Sequence, residues 1–138
     1  MLKGIPEIIS PELLKIMAEM GHGDEIVIAD GNFPGASHAK RLIRLDGHGA
    51  VPVLEAMLQL FPLDTYADPV HIMQKVPGDD VPTPIWDEFQ KTIAPYTQAQ
   101  LHQIERFAFY ERAKEAYAVV MTGERALYAN MILKKGVC

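Results

Sequence analysis

The sequence predicts an α/β domain in which a sheet is sandwiched between helices. Three observations predict it. Segments with helical apolar spacing alternate along the chain with short, β-branched apolar runs. The 138 residues are 49% hydrophobic and 22% charged, enough for one buried core without cross-links. No repeat, low-complexity tract or long linker divides the chain, so a single domain spanning residues 1–138 is expected.

The first helix starts at Ser10, whose hydroxyl suits a helix cap, with Pro11 in the first turn. Leu13, Leu14, Met17 and Met20 then form one apolar face, and Gly21 is a natural stop. Glu25 to Asp30 is apolar and β-branched until its last residue, as a buried strand is. Gly31-Asn32-Phe33-Pro34-Gly35 reads as a loop. Arg41 to Leu45 alternates like a short strand, and Asp46 to Gly49 is a turn. Val51 to Phe61 has helical spacing, and Pro52 fits its first turn. Val70 to Val76 is a strand ended by Pro77-Gly78-Asp79-Asp80. Thr83-Pro84 opens a helix that runs to about Ile93, and Pro95 ends it. Thr97 is a candidate cap for a helical stretch from Gln98 to Ala116, with a break expected near Phe107 to Phe109. Tyr117 to Met121 and the run from Met131 are the last two strands.

Eighteen acidic and 13 basic residues give a net charge of −5. With no basic stripe, nucleic acid and anionic membrane are poor partners. The short cluster Lys40, Arg41 and Arg44 reads as a solvated strand edge. No apolar run approaches the roughly 20 residues that span a bilayer. One cysteine, Cys138, cannot form an internal disulfide, and a cytoplasmic location is the expectation. His38, His48, His71 and His102 show no metal-ligand spacing. Zinc, dinucleotide and phosphate-loop motifs are absent too, so no metal and no cofactor is expected.

Chemistry concentrates in three segments. His22 lies between two glycines, in the turn from helix to strand, where space surrounds its imidazole. Histidine in that place also satisfies a helix C-terminus. Asp30 ends the buried strand, where ligands of α/β sheets collect and where a carboxylate needs a polar partner. It equally suits the start of a turn. Tyr128-Ala129-Asn130 joins two apolar strands and offers a flat ring, a hydroxyl and an amide, a set that fits a neutral polyol. A plain surface loop is the other reading. In Arg106-Phe107-Ala108-Phe109-Tyr110-Glu111-Arg112, the arginines read as surface charges pairing with Glu105 or Glu115. The aromatic residues read as core or subunit contact.

These segments occur in order in a known family. Met1-Leu2-Lys3, Ile9 to Lys15, Met20-Gly21-His22-Gly23-Asp24-Glu25-Ile26, Arg106 to Ala113, Thr122 to Ala126 and Leu133 to Val137 resemble the L-fucose mutarotases. These are a branch of the family that also contains the D-ribose pyranases. The likeness covers essentially the whole chain and is loosest from Asp64 to Gln100. It implies a three-layer α/β/α sandwich and an isomerase that interconverts the anomers of L-fucose. It implies a proton-donating role for His22 and sugar binding by Asp30, Arg106, Tyr128, Ala129 and Asn130. The ribose branch usually has histidine at the position of Arg106. The resemblance also implies a homo-oligomer, a ring-shaped decamer as bacterial members look to be or a dimer like some others, with sites near subunit contacts. The implied partners are a free monosaccharide and other copies of the chain.

Mutarotation needs one acid and one base that exchange roles when the ring recloses. Histidine suits such work because its ordinary pKa is about 6.5. Three other readings stand beside this one: a ribose pyranase, a non-enzymatic sugar-binding module, and a structural ring subunit.

Overall fold

The computed structural model describes residues 1–138. Helix α1 (Pro11–Glu19) begins where Ser10 Oγ accepts from the Leu13 N–H at 3.1 Å, and it buries Leu13, Ile16 and Met17. The chain then turns through Gly23, at φ 89°, rather than through Gly21. Strand β1 (Glu25–Ala29) follows, then the short helix α2 (Gly35–His38), which starts at the last residue of the expected loop. Strand β2 (Leu42–Leu45), helix α3 (Ala50–Leu58), strand β3 (Val70–Met73) and helix α4 (Ile85–Ile93) come next. The chain closes with β4 (His102–Ile104), α5 (Arg106–Glu115), β5 (Ala118–Thr122) and β6 (Met131–Lys134).

The expected long helix from Gln98 is corrected here. Residues 102–104 extend along the sheet edge, and α5 runs unbroken through Phe107 to Phe109. Thr97 caps no helix; its Oγ1 accepts from the Ala99 N–H at 3.1 Å in a local turn. Glu105, not Thr97, caps the helix that follows, accepting from the Ala108 N–H at 3.0 Å. The helix spacing of 98–116 is thus overridden by pairing of β4 with β3, a long-range contact that local periodicity does not carry.

The sheet order is β2-β5-β1-β6-β3-β4. Five strands run parallel, and β6 alone is antiparallel to its neighbours β1 and β3. Ile26, Ile28, Val120 and Leu133 face a core shared with α1, α3 and α4. Val27, Ala29, Val119 and Ile132 face a smaller core with Phe33, Phe109 and Ala113, under α2 and α5. This is the expected three-layer α/β/α sandwich. No helix is long and apolar enough to cross a membrane.

Candidate functional site

Topology brings the sugar-binding candidates to one end of the strands. Asp30 directly follows β1. Strand β6 lies antiparallel beside β1 with Ile28 opposite Met131, so Asn130, just before β6, arrives next to Asp30. Strand β4 parallels β3, and Arg106 follows it as the first residue of α5. A cavity of about 220 Å³ opens at this end of the strands, and Asp30, Arg106, Tyr110, Tyr128 and Asn130 line it. Ala129 is fully buried between two of these residues.

Asp30 and Asn130 are each only 5% exposed and hold one another. Asn130 Oδ1 accepts from the Asp30 N–H at 2.8 Å, and its Nδ2 donates to Asp30 Oδ2 at 3.1 Å. The Asn32 N–H donates to Asp30 Oδ1 at 3.0 Å. Burial pushes the Asp30 carboxyl above the usual range, while these donors and the Ala129 N–H pull the other way. A carboxyl so placed gains from any further donor, and a sugar hydroxyl is one.

Tyr128 is the one non-glycine residue in the left-handed region, at φ 57°. Such backbone persists where its surroundings over-determine it. Here Trp86 Nε1 donates to the Tyr128 carbonyl at 2.8 Å. The Tyr128 hydroxyl donates to Asp79 Oδ2 at 2.6 Å and accepts from the Val76 N–H at 3.2 Å. Tyr128 therefore ties the loop after β3 onto the cavity, and Asp79 stands in the cavity wall. Arg106 is half-buried, with its guanidinium 4.6 Å from the centre of the Phe107 ring. Phe109 is fully buried in the core, whereas Phe107 is 60% exposed.

His22 stands elsewhere. It precedes β1, whose five residues span roughly 17 Å, so it lies at the opposite end of the strands from Asp30. Its Nε2 lies 3.0 Å from Asp64 Oδ1, and its ring packs 5.3 Å from that of Tyr66. The His22 side chain is 45% exposed and that of Asp64 4%. Burial pushes the Asp64 carboxyl up, but hydrogen bonds from His22 and the Tyr66 backbone outweigh it and hold it below the usual range. A groove of about 1060 Å³, lined by Asp64, Tyr66 and Tyr96 among others, opens beside this pair. One chain thus assembles the sugar-binding candidates around one cavity and leaves the imidazole outside it.

The sheet also groups side chains that sequence spacing keeps apart. His71 and His102 are register partners on β3 and β4, and with Asp68 they place ligand-type atoms within 4.8 Å of one another. Arg112 lies against this group, its Nη2 3.5 Å from His71 Nδ1, and its charge opposes a cation there. Arg112 pairs with Glu25, across the fold, not with Glu115. Burial, then Arg112, lowers the His71 pKa from 6.5 to about 4. The unfolded chain therefore takes up this proton first. The stability due to neutral His71 is complete above the unfolded value and is lost as pH falls through about 4. It is worth on the order of 3 kcal/mol. Denaturant unfolding at neutral pH and near pH 4 is predicted to lose less stability in His71→Gln than in the natural chain. Equal losses would contradict this.

Sequence reading missed Asp64, Asp79 and Tyr110 as site residues. Asp64 and Asp79 lie far along the chain from the groups they meet, His22 and Tyr128, and read locally as loop residues. Tyr110 carries a visible signal, since it lies four residues after Arg106, on the same face of α5.

A cavity at a strand end, walled by a carboxyl, an amide, a phenol and a guanidinium, has the chemistry to suit a small, neutral, hydroxyl-rich molecule. The comparisons with known proteins agree. The model of the RbsD / FucU transport protein family matches residues 3–138. The fucose mutarotase of Homo sapiens is 53% identical, the alignment covering 99% of this chain and 94% of that protein. The crystal structure of the Streptococcus pneumoniae fucose mutarotase in complex with L-fucose superposes with a TM-score of 0.94, at 51% identity over 99% of both chains. FucU from Bifidobacterium longum superposes with a TM-score of 0.96, at 56% identity over 99% of both chains. The chain belongs to the RbsD/FucU family.

Proposed function

We propose that the chain is an isomerase that interconverts the α and β anomers of L-fucose, with sugar bound in the cavity between Asp30 and Tyr128. One observation carries this reading. Asp30, Arg106, Tyr128 and Asn130 converge on one cavity in a chain about half identical, end to end, to fucose mutarotases. Asp30 accepts from a sugar hydroxyl, Arg106 donates to ring or hydroxyl oxygens, and Tyr128 and Asn130 orient the ring.

The reaction breaks the bond from C1 to the ring oxygen. The C1 hydroxyl gives up its proton, the ring oxygen gains one, and the open aldehyde rotates and recloses on its other face. His22 is the acid for the ring oxygen, and Asp64 orients its imidazole. Because His22 and the cavity lie at opposite ends of the strands, a cavity receives His22 from a second copy of the chain. Assembly into a closed homo-oligomer supplies that juxtaposition. The enzyme acts on free monosaccharide in the cytoplasm.

The test is anomer exchange of free L-fucose, followed by NMR with and without protein, beside saturation-difference spectra for a panel of sugars. Acceleration of fucose exchange is expected. A protein that binds fucose without accelerating exchange would be a sugar-binding module instead. Arg106→His is predicted to lower turnover of fucose relative to ribose, and equal loss on both sugars would show that Arg106 does not select.

A further inference from the structure

The Tyr128 hydroxyl is committed on two sides before any sugar arrives. A phenol has one proton and two acceptor lone pairs. The proton goes to Asp79 Oδ2 at 2.6 Å, and one lone pair faces the Val76 N–H at 3.2 Å. One lone pair remains for the cavity. The Asp79 carboxylate is itself held, because its Oδ1 accepts from the Val81 N–H at 3.1 Å. The turn that carries it passes through Gly78 at φ 88°, a backbone that suits glycine. The shared hydrogen bond lowers the carboxyl of Asp79 below its usual range and raises the phenol of Tyr128 above its own. At neutral pH the first is therefore an anion, which only accepts, and the second keeps its proton. An anion on the far side of the phenol proton also strengthens the oxygen as an acceptor.

We infer that Asp79 is a positioning residue that makes Tyr128 a pure hydrogen-bond acceptor toward the cavity, so that the site demands a hydroxyl donor at the sugar position facing Tyr128. The inference rests on the cavity being the sugar site. It adds a specificity rule to that site: an analogue that presents only an acceptor at this position is rejected, even when its shape is unchanged.

Asp79→Asn separates this role from a structural one. The Val81 N–H keeps the amide oxygen, so the amide NH₂ turns to Tyr128. The phenol oxygen then accepts from both loop donors, and its proton turns into the cavity. Tyr128 changes from acceptor to donor.

The experiment uses L-fucose and analogues in which each non-anomeric hydroxyl is replaced in turn by fluorine, which cannot donate. KM and kcat for anomer exchange are measured by NMR for the natural chain, Asp79→Asn and Tyr128→Phe. The natural chain is expected to raise KM on the order of 10-fold or more for the analogue fluorinated opposite Tyr128. In Asp79→Asn that penalty collapses to within about 3-fold, while penalties at other positions stay. Tyr128→Phe loses the same penalty, which keeps the test open should the asparagine variant fail to fold. An unchanged pattern of penalties in the active variants would overturn the inference, as would a uniform loss for all sugars. If the natural chain accelerates no fucose exchange at all, the sugar-site reading itself falls, and the inference falls with it.

Discussion

His22→Ala is expected to lower anomer exchange of L-fucose by roughly 10²–10⁴-fold, toward the rate in plain solution, while the sugar still binds. The split follows from the geometry. His22 lies at the opposite end of the strands from Asp30, Tyr128 and Asn130, so its loss leaves the cavity of the same chain intact. Saturation-difference NMR checks binding, and exchange spectroscopy checks turnover. Asp64→Asn should weaken exchange less, since an amide oxygen still accepts from the imidazole but carries no charge. Exchange unchanged in His22→Ala would remove the imidazole from the mechanism.

The same variant tests whether the site is shared between copies. His22→Ala chains are unfolded and refolded together with chains carrying Asp30→Asn. If each site takes its imidazole from one copy and its cavity from another, random assembly of equal amounts restores about a quarter of the sites. A site built within one chain restores none.

Asn130→Ala is expected to cost about 2–4 kcal/mol of stability and to abolish sugar binding. The amide satisfies both the Asp30 N–H and the Asp30 carboxyl, and both residues are nearly fully buried. Its removal leaves a buried donor and a buried carboxylate each short of a partner. Denaturant unfolding reads the first effect and fucose titration the second. Asn130→Asp is the sharper variant, because it sets two carboxylates face to face. Like charge raises their apparent pKa values, so the folded state binds protons more readily than the unfolded one. The deficit of this variant should shrink as pH falls. A deficit that does not depend on pH would mean that Asn130 supports the fold through packing alone.

Much of the fold is legible along the chain because its causes are local. The Ser10 hydroxyl and Pro11 start α1 where the sequence says they should. The runs around Val27, Val119 and Ile132 are strands because β-branched apolar side chains suit a sheet covered on both faces. Asp30 and Asn130 stand out because polar residues interrupt such runs at their ends, where strand meets loop. The segment before α5 is where local reading fails. His102 to Ile104 has no run of its own long enough to read as a strand, and only the edge of β3 makes it one.

What the chain carries locally is the identity of its elements and the chemistry at their ends; each depends on residues within a few positions of one another. Tertiary structure decides which ends meet. The antiparallel course of β6 lays Asn130 against Asp30, and the crossover through α4 and β4 brings Arg106 to the same end of the strands. The length of β1 keeps His22 at the other end, in the company of Asp64. The physical reason is that strand order and direction are set by pairing between distant segments, such as Glu25 with Lys134, and periodicity along a single segment carries no record of its neighbours.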